Sequence, residues 1–231
     1  MRKLVFVFIA CLLSLTMQAQ NTNHLKFMGI PIDGKINDFK NELIKKGLRY
    51  KTQIKNSYLF DGYFAGDFAD LFVMHDVKTK KVYGVGVSID CYSEEIARDK
   101  YLNYVRDLTY KYNAMHASEF LDLYKDNPED LYADIKTGKF SDFNIIRDSL
   151  SNEATIEMSR AVVLPPDSII MKGPLGIMFL FLRDTGNVGK ITVKYSEDDD
   201  YNGYKKGYKV RIIYADDKNT SEHVRKAQDD L

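Results

Sequence analysis

Tryptophan is absent from this chain of 231 residues, cysteine occurs only twice, and 33 Lys and Arg are balanced by 33 Asp and Glu. The balance removes any composition-level case for nucleic acid or an anionic membrane as partner. Nor is there an apolar run of the roughly 20 residues that a transmembrane helix needs. The run near the start, Leu4 to Leu15, is twelve residues long. The four histidines, His24, His75, His116 and His223, show no zinc spacing. What is there is ordinary globular composition, 45% hydrophobic and 29% charged, too apolar for a disordered chain.

The short apolar run follows Met1-Arg2-Lys3 and is closed by Thr16-Met17-Gln18-Ala19. A basic start, a short apolar stretch and a small residue at the cut have the form of a secretory signal peptide. Residues 1–19 are expected to be removed, with 20–24 as a linker. Phe8-Ile9-Ala10-Cys11 faintly resembles a lipid attachment site, yet apolar sequence continues past Cys11. Plain export to the periplasm or the extracellular space is therefore expected rather than a lipid anchor. Loss of Arg2, Lys3 and Cys11 leaves a mature chain two charges negative, with Cys91 as its single thiol. No disulfide can close within it, despite an oxidising destination. The core must hold the fold alone, as a domain of about 210 residues can by burying roughly 70% of the surface its unfolded chain exposes.

Leu25 to Ile30 reads as a first strand, stopped by Pro31 and the Asp33-Gly34 turn. Ile36, Phe39, Leu43 and Ile44 then share a helical face, and Gly47 sits where a left-handed C-terminal cap belongs. Strands are expected near 49–55, 58–64, 68–75 and 82–89. In the last, Tyr83, Val85, Val87 and Ile89 face one way and Gly84, Gly86 and Ser88 the other, and this smooth small-residue face predicts a closely packed helix. Ser93 caps a long helix to about Tyr112, with Ala97, Tyr101, Val105 and Leu108 as its buried stripe. Short helices around 118–124 and 128–136 precede a return to strands. These are 153–159, with Ala154, Ile156 and Met158 inward, a central strand at 175–182, and segments near 188–195 and 208–214. A charged C-terminal helix or tail follows, and its charged end, Lys226 to Leu231, argues against an outer-membrane barrel. The fold expected is α+β, antiparallel sheet or sheets with helices packed on one face. The halves 25–116 and 117–231 both read as helix, strands, helix, and Ile44-Lys45-Lys46-Gly47 and Ile135-Lys136-Thr137-Gly138 end similar helices alike. Two similar helix-plus-strands units and one continuous sheet are both open.

Phe27-Met28-Gly29-Ile30-Pro31-Ile32-Asp33-Gly34, with Phe39, Leu43 and Lys46-Gly47 after it, resembles the opening of a group of uncharacterised exported proteins of gut Bacteroidetes. Val210-Arg211-Ile212-Ile213-Tyr214-Ala215-Asp216, with Asn219, resembles their closing strand. The resemblance implies a compartment and a fold but no reaction, since the group has no established activity. Lys35 departs from it at a position where a helix-capping Ser or Thr is expected.

Among motifs that carry chemistry, the acidic loop is the best formed. Asp198-Asp199-Asp200-Tyr201-Asn202-Gly203 fits the first half of a calcium loop, with Asp198, Asp200 and Asn202 as alternating oxygen ligands. The second half fails, because Lys209 stands where the bidentate Glu belongs and Lys205 and Lys206 lie between. A solvated hairpin loop is the plainer reading, and calcium is the one cofactor the sequence suggests. Tyr201, Tyr204 and Tyr208 share that hairpin, so 197–208 is the segment expected to meet a ligand, whether a protein or a glycan. The absence of tryptophan weakens the glycan case.

Other motifs fail outright. Asp184-Thr185-Gly186 is the aspartic-protease triplet, but it has no second copy, Arg183 precedes it, and it falls as a turn between strands. Gly186-Asn187-Val188-Gly189-Lys190 imitates a phosphate loop, with Asp184 and Ile191 where glycine and Ser/Thr are required. Cys91 precedes a helix N-terminus, which favours thiolate, yet no histidine is placed to take its proton, and a buried structural thiol is expected. His116 and Glu119 share a helical face as a surface pair. With each signature failing at a named residue, the expected function is a non-catalytic binding or interaction module of the cell envelope. A secreted hydrolase of an envelope or dietary polymer is the alternative.

Overall fold

The alternation that marks 82–89 is realised as one strand of a nine-stranded sheet. The structure is a computed structural model that describes residues 24–116, 119, 122, 142–150, 152–160, 186–199 and 206–220, and it is mixed α+β and mostly strand. A small hairpin, β1 (Lys26–Phe27) and β2 (Ile30–Pro31), leads into α1 (Ile36–Lys45). The strands β3 (Arg49–Ile54), β4 (Ser57–Phe64), β5 (Asp67–His75) and β6 (Val82–Cys91) follow as a meander. After α2 (Glu94–Lys111) come β7 (Met115–His116), β8 (Asp142–Leu150), β9 (Glu153–Arg160), β10 (Gly186–Asp199) and β11 (Lys206–Asp216). The sheet order is β3-β4-β5-β6-β11-β10-β9-β8-β7, antiparallel throughout except for β7 beside β8. The last strands of the two meanders meet at its middle, with Val87 opposite Ile212 and Val85 opposite Tyr214. The signal segment, the expected helix at 128–136, the expected strand at 175–182, the loop 200–205 and the charged tail from 221 lie outside the described residues. Among those described, no helix is long and apolar enough to cross a membrane.

Leu25 to Ile30 is not one strand. β1 and β2 pair through a two-residue turn in which Met28 (φ 49°) and Gly29 (φ 83°) are both left-handed. This is the type I′ geometry that matches the twist of paired strands. α1 buries Ile36, Phe39 and Leu43, and Gly47 is left-handed at φ 92° beyond its end. Ile44 was expected on the same face but is exposed, because it lies roughly 100° around the helix from Leu43. Lys35 makes no side-chain cap; the Ile36 N–H donates instead to the Lys80 carbonyl (2.9 Å), so the β5–β6 turn satisfies that end. In α2, the Ser93 Oγ accepts from the Ile96 N–H (3.3 Å), and the buried stripe is Ala97, Tyr101, Tyr104 and Leu108. Tyr104 takes the place expected of Val105, because its ring stacks on Phe64 with centroids 6.2 Å apart.

The small-residue face of β6 is covered differently from expectation. Gly84 and Gly86 pair with Met74 and Phe72 of β5, and these side chains lie across them. A Cβ on Gly86 would come within 2.0 Å of the Phe72 ring. The neighbouring strand thus fills the space that was expected to receive a helix. On the other face Val85, Val87 and Ile89 join Val210, Ile212, Ile191 and Ile156 in a core that includes the buried residues of both helices. β9 follows its expected alternation, with Ala154, Ile156 and Met158 buried. His116 belongs to β7 rather than a helix, and its backbone N–H donates to Glu119 Oε2 (3.3 Å). Gly186 already belongs to β10, and the register shift between Asn187 and Gly189 is a bulge, so the phosphate-loop mimic 186–190 is strand, while Asp184 and Thr185 of the expected turn lie outside the described residues.

Residues 217–220 form a helical turn whose N-cap is Asp216. One carboxylate oxygen of Asp216 accepts from the Asn219 N–H (3.0 Å). The other accepts from the Leu25 N–H and lies 3.0 Å from His24 Nδ1. Asn219 Nδ2 donates to the Ile32 and Val82 carbonyls at 2.9 and 3.1 Å. The first and last described segments are clasped through this one buried polar cluster.

Candidate functional site

The strands β10 and β11 run further toward their loop than the sequence suggests, pairing Asp198 with Gly207 and Asp199 with Lys206. Asp198 is therefore a strand residue. Its carboxylate accepts from Lys209 Nζ (2.6 Å) and Arg211 Nη2 (3.1 Å), and the Lys209 contact holds it below the usual carboxylate range. The places a calcium ion would occupy on this carboxylate are held by an ammonium and a guanidinium. Tyr208 is half-buried against the core, on the opposite face of β11 from Lys209 and Arg211. The sheet separates these two members of the expected site, while Asp200, Tyr201, Asn202 and Tyr204 lie outside the described residues. Among the described residues no group of three His, Cys, Asp or Glu is placed to hold a metal. Cys91 is buried and its thiol lies 3.9 Å from the Ile89 carbonyl. Burial pushes its pKa up, so the helix N-terminus does not make it a thiolate.

A cleft of about 460 Å³ opens elsewhere, between α2 and two hairpin turns. One turn is Met28-Gly29; the other joins β4 to β5 through Ala65 (φ 49°) and Gly66 (φ 94°). Aromatic rings run in series beneath them. Tyr214 meets Phe27 edge-on at 5.1 Å, Phe27 stacks on Phe64 at 5.4 Å, and Phe64 stacks on Tyr104. Of these, Phe64, Tyr104 and Tyr214 line the cleft, together with Met28 and Leu108. Asp67 stands in the wall, where it accepts from Lys100 Nζ and from the Tyr104 hydroxyl (2.8 Å). Burial alone would raise the Asp67 carboxyl, but these two hydrogen bonds outweigh it and hold it below its ordinary value. Tyr104 is driven far up, first by burial and then by its bond to Asp67, and it stays a neutral donor. Asn103, Arg106, Asp107 and Lys111 form the rim, with Arg106 paired to Asp107 at 3.1 Å.

Such a site can hold an apolar body on its aromatic floor and meet a polar group at the Asn103 and Lys111 rim. The Asp67 and Lys100 charges in its wall are spent on one another, and the Tyr104 hydroxyl is held in its protonated form. Sequence reasoning missed this cleft. The Met-Gly and Ala-Gly pairs were signals for tight turns, and Lys100 and Tyr104 lie one helical turn apart, but Asp67 is 33 residues before Lys100 and nothing local joins them. No family model, no curated protein and no solved structure matches the chain.

Proposed function

We propose that the chain is an exported, non-catalytic binding module of the cell envelope. It consists of two helix-plus-meander units with their helices on one face of the sheet, and it takes a small amphipathic ligand into the cleft beside α2. The observation that carries this reading is the aromatic floor of Phe64, Tyr104 and Tyr214 in one cleft, with Met28 and Ala65 of two tight turns at its edge. The cleft volume also falls in the range of about 300–1,000 Å³ typical of small-molecule sites. Export rests on the signal-like start, and cleavage after Ala19 would keep the His24 and Leu25 contacts with Asp216 intact. The hydrolase alternative needs an activated nucleophile, whereas the thiol of Cys91 and the hydroxyl of Tyr104 are both pushed toward their protonated forms.

The test is methyl NMR on the mature chain, titrated with decanoate and with 8-anilinonaphthalene-1-sulfonate. The Met28 and Leu108 methyls line the cleft; those of Leu43 and Leu71 lie in the core away from it. Saturable shifts confined to the first pair are expected. Absence of saturation, or equal shifts at all four, would remove the cleft from consideration. Release of nitrophenol from p-nitrophenyl decanoate above the buffer rate would turn the reading toward the hydrolase.

A further inference from the structure

At the end of the β4–β5 hairpin, on the face of the sheet opposite Phe64 and Asp67, two aromatic rings stand in solvent. Tyr63 and Phe68 are direct cross-strand partners, 71% and 54% exposed, with ring centroids 5.7 Å apart and planes at 83°. Aromatic side chains on a paired hairpin are rigid contact area, with little rotamer entropy left to lose. Asp61 and Asp70 are the next pair inward on the same face. Arg49 grips Asp61 with Nε and Nη2 at 2.8 and 3.0 Å, and Lys51 lies 3.2 Å from Asp70 and 3.8 Å from Asp61.

We infer that Tyr63 and Phe68 form a platform for an uncharged hexose glycan, with Arg49 and Asp70 reaching the hydroxyls of the stacked sugar. Two observations select this occupant. The rings expose on the order of 250 Å² of apolar surface between them, against the roughly 800 Å² per partner of a stable protein interface. The two rings by themselves fall well short of the apolar centre of a stable protein interface and match the face of one or two sugar rings. The flanking charges, two of each sign, are already paired with one another, so an ionic ligand gains nothing from them. A neutral pyranose presents a C–H face to the aromatic ring and hydroxyls to the carboxylate and guanidinium at its edge. Tyrosine and phenylalanine offer the same negative ring face as tryptophan over a smaller area, so modest affinity per ring is expected.

Cellohexaose, maltohexaose and mannohexaose are the neutral probes, with polygalacturonate oligomers as the charged comparison, and binding is read by isothermal titration and by shifts of the Tyr63 and Phe68 ring resonances. At least one neutral hexaose should bind saturably and more tightly than the charged oligomer. Tyr63→Ala and Phe68→Ala should each weaken it at least tenfold, while Tyr63→Phe should keep it within about threefold. Both rings are exposed, so an unchanged melting temperature confirms that the variants fold. The inference is overturned if no neutral hexaose binds, if the double alanine variant binds as well as the parent, or if sedimentation shows a dimer that Phe68→Ala dissolves. The site lies on the opposite face from the cleft, so the Met28 and Leu108 methyl shifts report that reading separately.

Discussion

Asp216 shows how much can rest on a single side chain. It is fully buried, and its two oxygens satisfy the backbone N–H groups of Leu25 and Asn219 while holding His24. Asp216→Ala removes a helix cap, worth about 1–2 kcal/mol, and strands a buried donor, costing roughly 1–3 kcal/mol more. A loss on the order of 3 kcal/mol in urea unfolding is expected from these two effects, and a loss under about 1 kcal/mol would show that the clasp is ornamental. Its neighbour Asp217 behaves oppositely. Burial raises its carboxyl above the ordinary value, with Asp216 and Glu157 adding to the rise and Lys190 opposing it. A raised carboxyl contributes stability below its unfolded pKa, near 3.9, and loses it as pH climbs through the folded value. Asp217→Asn should therefore be more stable than the parent at pH 7 and indistinguishable from it at pH 3; urea midpoints at the two pH values decide. At the cleft, Ala65→Gly relieves a left-handed Cβ and should raise stability by about 0.5–1 kcal/mol, the strain removed less the added chain entropy. If that strain shapes the site, the same variant weakens decanoate binding in the methyl titration.

The strand pair β5–β6 carries its own test. Phe72 and Met74 occupy the space over Gly86 and Gly84, so Gly86→Ala drives a methyl into the Phe72 ring. Overpacking of this kind costs about 1–3 kcal/mol. Phe72→Ala should recover part of that cost, giving a double-mutant cycle with a coupling of at least about 0.5 kcal/mol; strict additivity of the two thermal shifts would contradict the geometry. Helix α2 illustrates what an element reveals about itself in sequence. Ser93 at its start and apolar residues at helical spacing were readable because capping and periodicity are local. The choice of Tyr104 over Val105 was not, since it depends on Phe64 arriving from β4.

At the scale of the whole molecule, most of the shifted carboxyls among the described residues are depressed and set the acid side of stability. Arg49 holds Asp61 down and Lys209 holds Asp198 down; at Asp33 and Asp67 burial pushes upward but hydrogen bonds and nearby cations win. Each contributes stability that is complete above the unfolded carboxyl value and is lost as pH falls through the folded one. Tyr104 and Tyr214 are raised by burial, so their contribution is complete below the unfolded tyrosine value, near 10, and is lost as pH rises beyond it. Melting temperatures from pH 2 to 11 should show a plateau with one fall below about pH 4 and another above about pH 10; an acid fall centred near pH 6.5 would instead implicate histidine. By itself the sequence determined the strands of the first meander, both helices with the Gly47 and Ser93 signals at their ends, and the inward residues of β9, because periods of 2 and 3.6 and the chemistry of caps are written in neighbouring residues. Only the tertiary structure decided that β11 slots between β6 and β10, that Phe72 covers Gly86, that Asp198 faces Lys209 and Arg211, and that Asp67, Lys100 and Tyr104 wall one cleft with Met28 and Ala65. Those outcomes depend on which strands and helices meet, in the case of β6 and β11 across more than a hundred residues, and pairing is settled by the fit of whole faces rather than by any local pattern.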